Sequence, residues 1–299
     1  MTPAPAASLQ TGKGIALMLL SIVMFTLMDA VAKGLLQTYP VMQVIWARFL
    51  GQFLIVALVL RSRLPALART AHPFIQLWRS MFQFGAIVFF FASLNHIGLA
   101  EATAIGDVSP LLITLGAALF LGEKLGPRRI AGVVAAMIGA LIIIRPGLGV
   151  FTPWALLPLL SAMSYAGNAL LTRVVGLRES IWTTMILGAA IGALLSGATL
   201  PWFWMPIALG DLWLFALVGA LGTGGQLCII RSFSIAEASA VAPFSYGGII
   251  LAAIWGLLFY GEVPDLLTVV GALVIASAGL YVWHRETQVA RAARNNGEG

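Results

Sequence analysis

The sequence predicts an all-α polytopic membrane protein: ten transmembrane helices arranged as two inverted-topology five-helix repeats, with both termini in the cytoplasm. Three observations carry this. Hydrophobic residues make up 60% of the 299 and charged residues only 9%, and the mean hydropathy is +0.98, a balance outside the range of water-soluble domains. Residues 100–146 and 236–283 say nearly the same thing twice. Both open on Ala-Glu-Ala-Ser/Thr-Ala, cross an apolar run holding a proline (Pro110, Pro243) and reach Gly-Glu (Gly122-Glu123, Gly261-Glu262). A further glycine stands nine residues beyond each of those glutamates, at Gly132 and Gly271. Finally, basic residues crowd one side. With the N-terminus placed inside, 14 of the 17 fall on or near the cytoplasmic face, the exceptions being Lys33, Arg48 and Arg145, as the positive-inside rule expects.

A spanning helix needs about 20 mostly apolar residues to cross ~30 Å of hydrocarbon. Cutting at charged, Pro and Gly clusters gives ten such segments: 14–36, 41–60, 74–95, 98–120, 128–144, 153–172, 181–200, 211–230, 238–260 and 265–283. The expected organisation is a cytoplasmic tail at 1–13, a first repeat at 14–146, a second at 147–284 and a cytoplasmic tail at 285–299. The first segment is too long for a signal h-region and lacks a basic flank, so it reads as a retained helix. The residues after Trp283 read as a polar, frayed end. Five helices per repeat is an odd number, so the second copy enters the membrane upside down: Glu101 precedes its helix outside, Glu237 inside. Two bundles related in this way can rock about a midplane site.

Taken in order, the segments carry polar residues that hydrocarbon does not tolerate unpaired. Segment one holds Asp29 and Lys33, four apart on one face, Lys33 being near enough to the outer end to snorkel. Segment two holds Arg48, segment three Gln83, and segment four Asp107 near its middle. Segment six holds Tyr165 and Asn168, three apart and so sharing a face. Segment eight holds Gln226, and segment nine Ser245 and Tyr246. Static ion pairs involving Lys33 and Arg48 are one reading of the charged set; an ionic pair that opens for a zwitterion, or a carboxylate that loads a proton, is the other. Pro110 and Pro243 are expected to bend segments four and nine by freeing a carbonyl. Ala135 and Gly139 on segment five, and Ala272 and Ala276 on segment ten, suit close helix contact, and Gly188 and Gly192 form a GxxxG on segment seven. That pair serves packing inside the monomer or a homodimer. Arg79 is expected on the cytoplasmic side, His96 at the outer interface, and Trp255 facing either lipid or the interior.

The passages ASLNHIGLAEATA, LGEKLGPRRIAGVVAAMIGALIII, RSFSIAEASAVAPFSYGGI and YGEVPDLLTVVGALVIASAGLYV resemble the drug/metabolite transporter superfamily in its ten-helix form with two EamA-type halves, over nearly all of 14–284. The resemblance implies a bacterial inner-membrane carrier that exports small metabolites by alternating access. It also implies a cavity walled by segments 1, 3, 4, 6, 8 and 9, segments 5 and 10 packed away from it, and segment two at the periphery. Asp29, Gln83, Asp107, Tyr165, Asn168, Gln226, Ser245 and Tyr246 then become the cavity candidates. A cavity rich in Phe, Tyr and Met would suit an aromatic or bulky apolar metabolite, an aromatic amino acid first. An exchanger of another organic metabolite, or a receptor or scaffold of the same fold, is the alternative.

Enzyme chemistry finds no motif: there is no Walker loop, no GxGxxG opening a βαβ unit and no HExxH pair. Cys228 is the only cysteine and the three histidines are scattered, so no metal or cofactor is expected. The expected partners are a small-molecule substrate, the bilayer, and a coupling proton or exchanged substrate. The net charge of +6 follows from topology and implies no nucleic acid. Glu123 and Glu262 are expected as helix-end carboxylates near backbone donors.

Overall fold

The computed structural model describes residues 5–61, 70–122, 126–145, 152–175, 179–236 and 241–297. Eight spans follow the expected segments closely as single helices: α1 (Pro5–Leu36), α2 (Val41–Val59), α3 (Pro73–Leu94), α5 (Pro127–Ile144), α6 (Leu156–Val175), α7 (Ile181–Phe203), α8 (Leu212–Ile235) and α10 (Leu266–Gly297). The other two are discontinuous. Span four breaks into α4a (Leu99–Gly106) and α4b (Ser109–Leu121), and span nine opens in a 3-10 turn (Ala242–Tyr246) before α9 (Gly247–Tyr260). No strand occurs among the described residues. The expected frayed tail is corrected: α10 continues as helix through Gly297.

The two prolines do not kink continuous helices as expected. Pro110 lies in the first turn of α4b and Pro243 in the first turn of the 3-10 segment. An N–H missing there has no intrahelical acceptor to lose, so proline starts these pieces more readily than it bends them. The repeated Gly-Glu has an equally local cause. Gly122 and Gly261 are left-handed (φ 71° and 66°) and end α4b and α9, a conformation that glycine adopts without a Cβ penalty. α7 is capped by Ser180, whose hydroxyl accepts from the Trp182 N–H at 3.2 Å.

Helix neighbours come in matched pairs: α1 with α8 and α6 with α3; α2 with α8 and α7 with α3; α9 with α1 and α4b with α6; α2 with α7 and α5 with α10 pair with themselves. Exchanging helices 1–5 for 6–10 leaves this scheme unchanged, the signature of a pseudo-twofold relation between the repeats. Lipid supplies no hydrophobic drive between helices, so close approach depends on small residues. At the α5–α10 crossing a Cβ on Gly139 would lie 2.9 Å from the Gly271 carbonyl oxygen, and one on Gly271 would lie 2.7 Å from that of Gly139. One of the two repeated glycines is thus a backbone contact point; Gly132 meets Val282 on the same seam. The expected stripe of Ala135 and Ala276 lies to one side of this seam, which runs through Ala136, Ala140 and Ile275, all fully buried. Gly192 seats the ring of Phe49, and Gly188 faces Gln83 and Arg79, so the GxxxG serves packing within the chain.

Candidate functional site

Both broken helices place irregular backbone at membrane depth, tolerable only where protein or an aqueous space covers it. Asp107 stands at the first break, as the C-cap of α4a. Its Oδ2 is buried without a hydrogen-bond partner. Tyr165 on α6 and Tyr246 in the 3-10 turn both lie within electrostatic reach of this carboxyl group. Tyr165 is half-exposed. Tyr246 reaches further out: its hydroxyl beds against Gly279 of α10, where a Cβ would sit 1.7 Å away. Ser245 precedes it in the turn.

A second group assembles from α1, α2 and α8. Arg48 is directed inward from α2. Its guanidinium lies over the buried ring of Phe91 on α3, 5.7 Å from the centroid. It passes Gly222 of α8, where a Cβ would come within 3.4 Å of Nε. Asp29 on α1 feels the charge of Arg48, yet no ion pair closes between them among the described residues. Asp29, Arg48 and Gln226 of α8 make no hydrogen bond there, and their polar atoms are not sealed off. Two carboxylates, one guanidinium and one amide are therefore held inside a membrane bundle with their bonding capacity unspent, and such groups need water or a ligand.

Gln83 and Asn168 are differently placed: both are engaged by Arg79, which the sequence reading had put at the cytoplasmic flank. Arg79 is only 4% exposed. Its Nη1 donates to Asn168 Oδ1 at 3.2 Å and Gln83 Oε1 at 3.4 Å, its Nη2 to the Thr184 carbonyl at 2.6 Å, and its Nε to Gln76 Oε1 at 2.9 Å. These bonds tie α3 to α6 and α7 with no carboxylate in the network. The clue lay in the chain: Gln76, Arg79, Ser80 and Gln83 recur at helical spacing along one face.

At the end opposite the termini, here called outer, Lys33 does not snorkel and does not pair with Asp29. It is buried, forms a salt bridge with Glu262, donates to the Ile97 carbonyl at 2.8 Å and lies over the Tyr260 ring. Glu262 also accepts from the Leu99 N–H at 2.9 Å, so it is the helix-end carboxylate expected, but at a helix of the other repeat. Glu123 and Glu237 lie outside the described residues. Arg145 caps α5 in the left-handed region at φ 53° and pairs with Asp265; this guanidinium holds the Asp265 carboxyl well down, at about 2. His96 stacks on Trp154 at 3.8 Å, an interfacial role. Trp255 does not face lipid: its indole N–H donates to Thr26 Oγ1 at 3.1 Å, joining α9 to α1. No cluster of three metal-ligating side chains occurs among the described residues.

The EamA-like transporter family profile matches twice, over residues 12–145 and 152–283. The chain belongs to the EamA-like transporter family. It is similar to the pseudopaline exporter CntI of Pseudomonas aeruginosa, with 31% identity over 271 residues covering 89% of this chain and 94% of that one. It is also similar to a riboflavin transporter of Rhizobium johnstonii (33%, covering 74% of each) and to an S-adenosylmethionine uptake transporter of Rickettsia prowazekii (26%, covering 91% and 93%). A solved crystal structure 18% identical superposes with a TM-score of 0.59 over 96% of this chain and 98% of that one, which shows a shared fold. This EamA-like protein is thus a membrane transporter of the drug/metabolite superfamily, multi-pass in the bacterial inner membrane.

Proposed function

We propose that this transporter is a secondary carrier that exports a small amino-acid-like metabolite from the cytoplasm by alternating access of its two inverted repeats, with both termini cytoplasmic. The observation that carries the reading is the unspent ionic set inside the bundle: Arg48 for a carboxylate, Asp29 and Asp107 for an ammonium group, Gln226 for either. A molecule bearing both charges can satisfy Arg48 and a carboxylate, where a neutral one leaves polar groups of the bundle unpaired. The chain has no nucleotide-binding loop, so uphill movement draws on a coupling proton or on exchange. Catalysis forms no part of this reading.

The expected aromatic preference gains no support from the named relatives, none of which is named for an aromatic amino acid. The charges rather than the rings now argue for the amino-acid class. A second reading has its own support: relatives named for pseudopaline, riboflavin and S-adenosylmethionine favour a larger organic metabolite with charged groups. The directions in those names differ, and gradients set the net direction of any carrier.

Purified protein in sealed liposomes tests this. A panel of radiolabelled amino acids and larger charged metabolites is expected to show saturable flux for at least one zwitterion. Folded protein that moves no member of the panel would contradict the carrier reading.

A further inference from the structure

We propose that Glu262, Lys33 and the N-terminus of α4a form the outer latch of the transport path, the contact that separates the interior ionic site from the outer face. The inference rests on the alternating-access reading given above and adds the residues that hold one side shut.

Glu262 follows the left-handed Gly261 that ends α9, so it leaves the second repeat at a fixed point. From there it crosses to the first repeat. One oxygen pairs with Lys33 of α1, and the other accepts the Leu99 N–H, the first donor of α4a. Helix N-termini carry unsatisfied donors and partial positive charge, so a single carboxylate here meets two positive centres, both from the opposite repeat. Lys33 Nζ also donates to the Ile97 carbonyl in the α3–α4a linker. Two pieces of the first repeat, α1 and α4a, thereby meet on one side chain of the second.

Position makes this a latch rather than a strut. Asp29 and Lys33 lie one turn apart on the same face of α1. Moving outward from the ionic site along that face, the next charged contact is Lys33–Glu262. Immediately beyond lies a polar cavity of about 550 Å³ between the repeats, lined by both latch residues together with Glu101, His96, Arg145 and Asp265. The latch therefore stands between the interior ionic groups and this outer cavity. The polar cavity means that its groups find water when it parts, so opening does not strand a bare charge in lipid. Lys33 and Glu262 are positioning residues in this account, and substrate contact is not required of either.

The test reads access directly. In a Cys228→Ser background, Gln226→Cys places a thiol on α8 within the interior set, as a reporter of access and not of flux. A membrane-impermeant methanethiosulfonate is added separately to each face of oriented vesicles. Glu262→Gln keeps an oxygen for Leu99 but loses the charge. It is expected to speed labelling from the outer face at least about threefold, with monodispersity on gel filtration confirming assembly. An unchanged or absent outer reaction in that variant would overturn the latch. The exchange Lys33→Glu with Glu262→Lys restores an ion pair but gives Leu99 no acceptor, so labelling as fast as in Glu262→Gln is expected. A return to the parental rate would remove the α4a terminus from the proposal. Labelling needs no substrate, so a latch effect without flux in the wild-type chain would sink the carrier reading alone, and wild-type flux with unaltered labelling would sink the latch alone.

Discussion

Flux through the Asp107→Asn variant is expected to fall about ten- to a hundredfold, while the protein still assembles and runs as a single species. Asparagine matches aspartate in shape but neither carries a negative charge nor binds and releases a proton. The carboxylate stands at the break between α4a and α4b, with one oxygen buried and unbonded. A hydrogen bond to a charged group is worth roughly 1.5–3 kcal/mol, and each ~1.4 kcal/mol is a factor of ten, which sets the range. Loss of a buried, unpaired carboxylate also removes a desolvation cost, so stability is expected to hold or rise. That separates a functional role from a structural one: a residue kept for packing lowers the thermal midpoint when changed, whereas this one lowers flux. Parental flux in Asp107→Asn would exclude Asp107 from the path.

Arg48→Gln is expected to raise the apparent KM for a carboxylate-bearing substrate by about ten- to a hundredfold, the loss of a charge-assisted pair inside the bundle. Its effect on maximal rate is expected to be smaller. Lysine is not expected to restore function, because the guanidinium that lies over Phe91 can fork to two oxygens in a fixed plane and a point-charge ammonium cannot. Concentration-dependent uptake by Arg48→Gln and Arg48→Lys decides this. Unchanged KM in both would mean that Arg48 serves only to balance Asp29.

The spans were legible because hydrocarbon imposes one rule on every segment, and apolar length answers it residue by residue. Breaks at Asp107 and at 242–246 were visible only as prolines. Whether a proline bends a helix or begins a new one depends on carbonyls four residues back, which neighbouring helices satisfy or leave open. Small residues pointed to the α5–α10 contact: Gly139 meets Gly271 at the crossing and Ala272 is buried, while Ala135 and Ala276 lie to one side because helix rotation is set by the partner surface.

Charges were harder to place. Arg48 lies on a helix expected at the periphery, yet its side chain turns inward over Phe91 of α3, beside Gly222 of α8, which is far away in sequence. Arg79 sits close to the end of its segment, where a basic residue ordinarily flanks the membrane; only its recurrence with Gln76 and Gln83 marks it as interior. Glu262 was read correctly as a helix-end carboxylate. Its actual partners, Lys33 and Leu99, belong to the other repeat, and no local pattern announces a contact across 163 residues. The repeated text thus encodes local events well, such as a left-handed glycine and an acidic residue after it. The meeting of the two repeats is a property of the assembled fold.

The central claim is that the interior ionic set recognises a molecule carrying both charges. Counterflow in proteoliposomes tests it most directly, using a bulky α-amino acid, its methyl ester and its decarboxylated amine as competing internal substrates. The account predicts that the zwitterion supports exchange and that both singly charged analogues fall to background. Equal exchange by all three would contradict it.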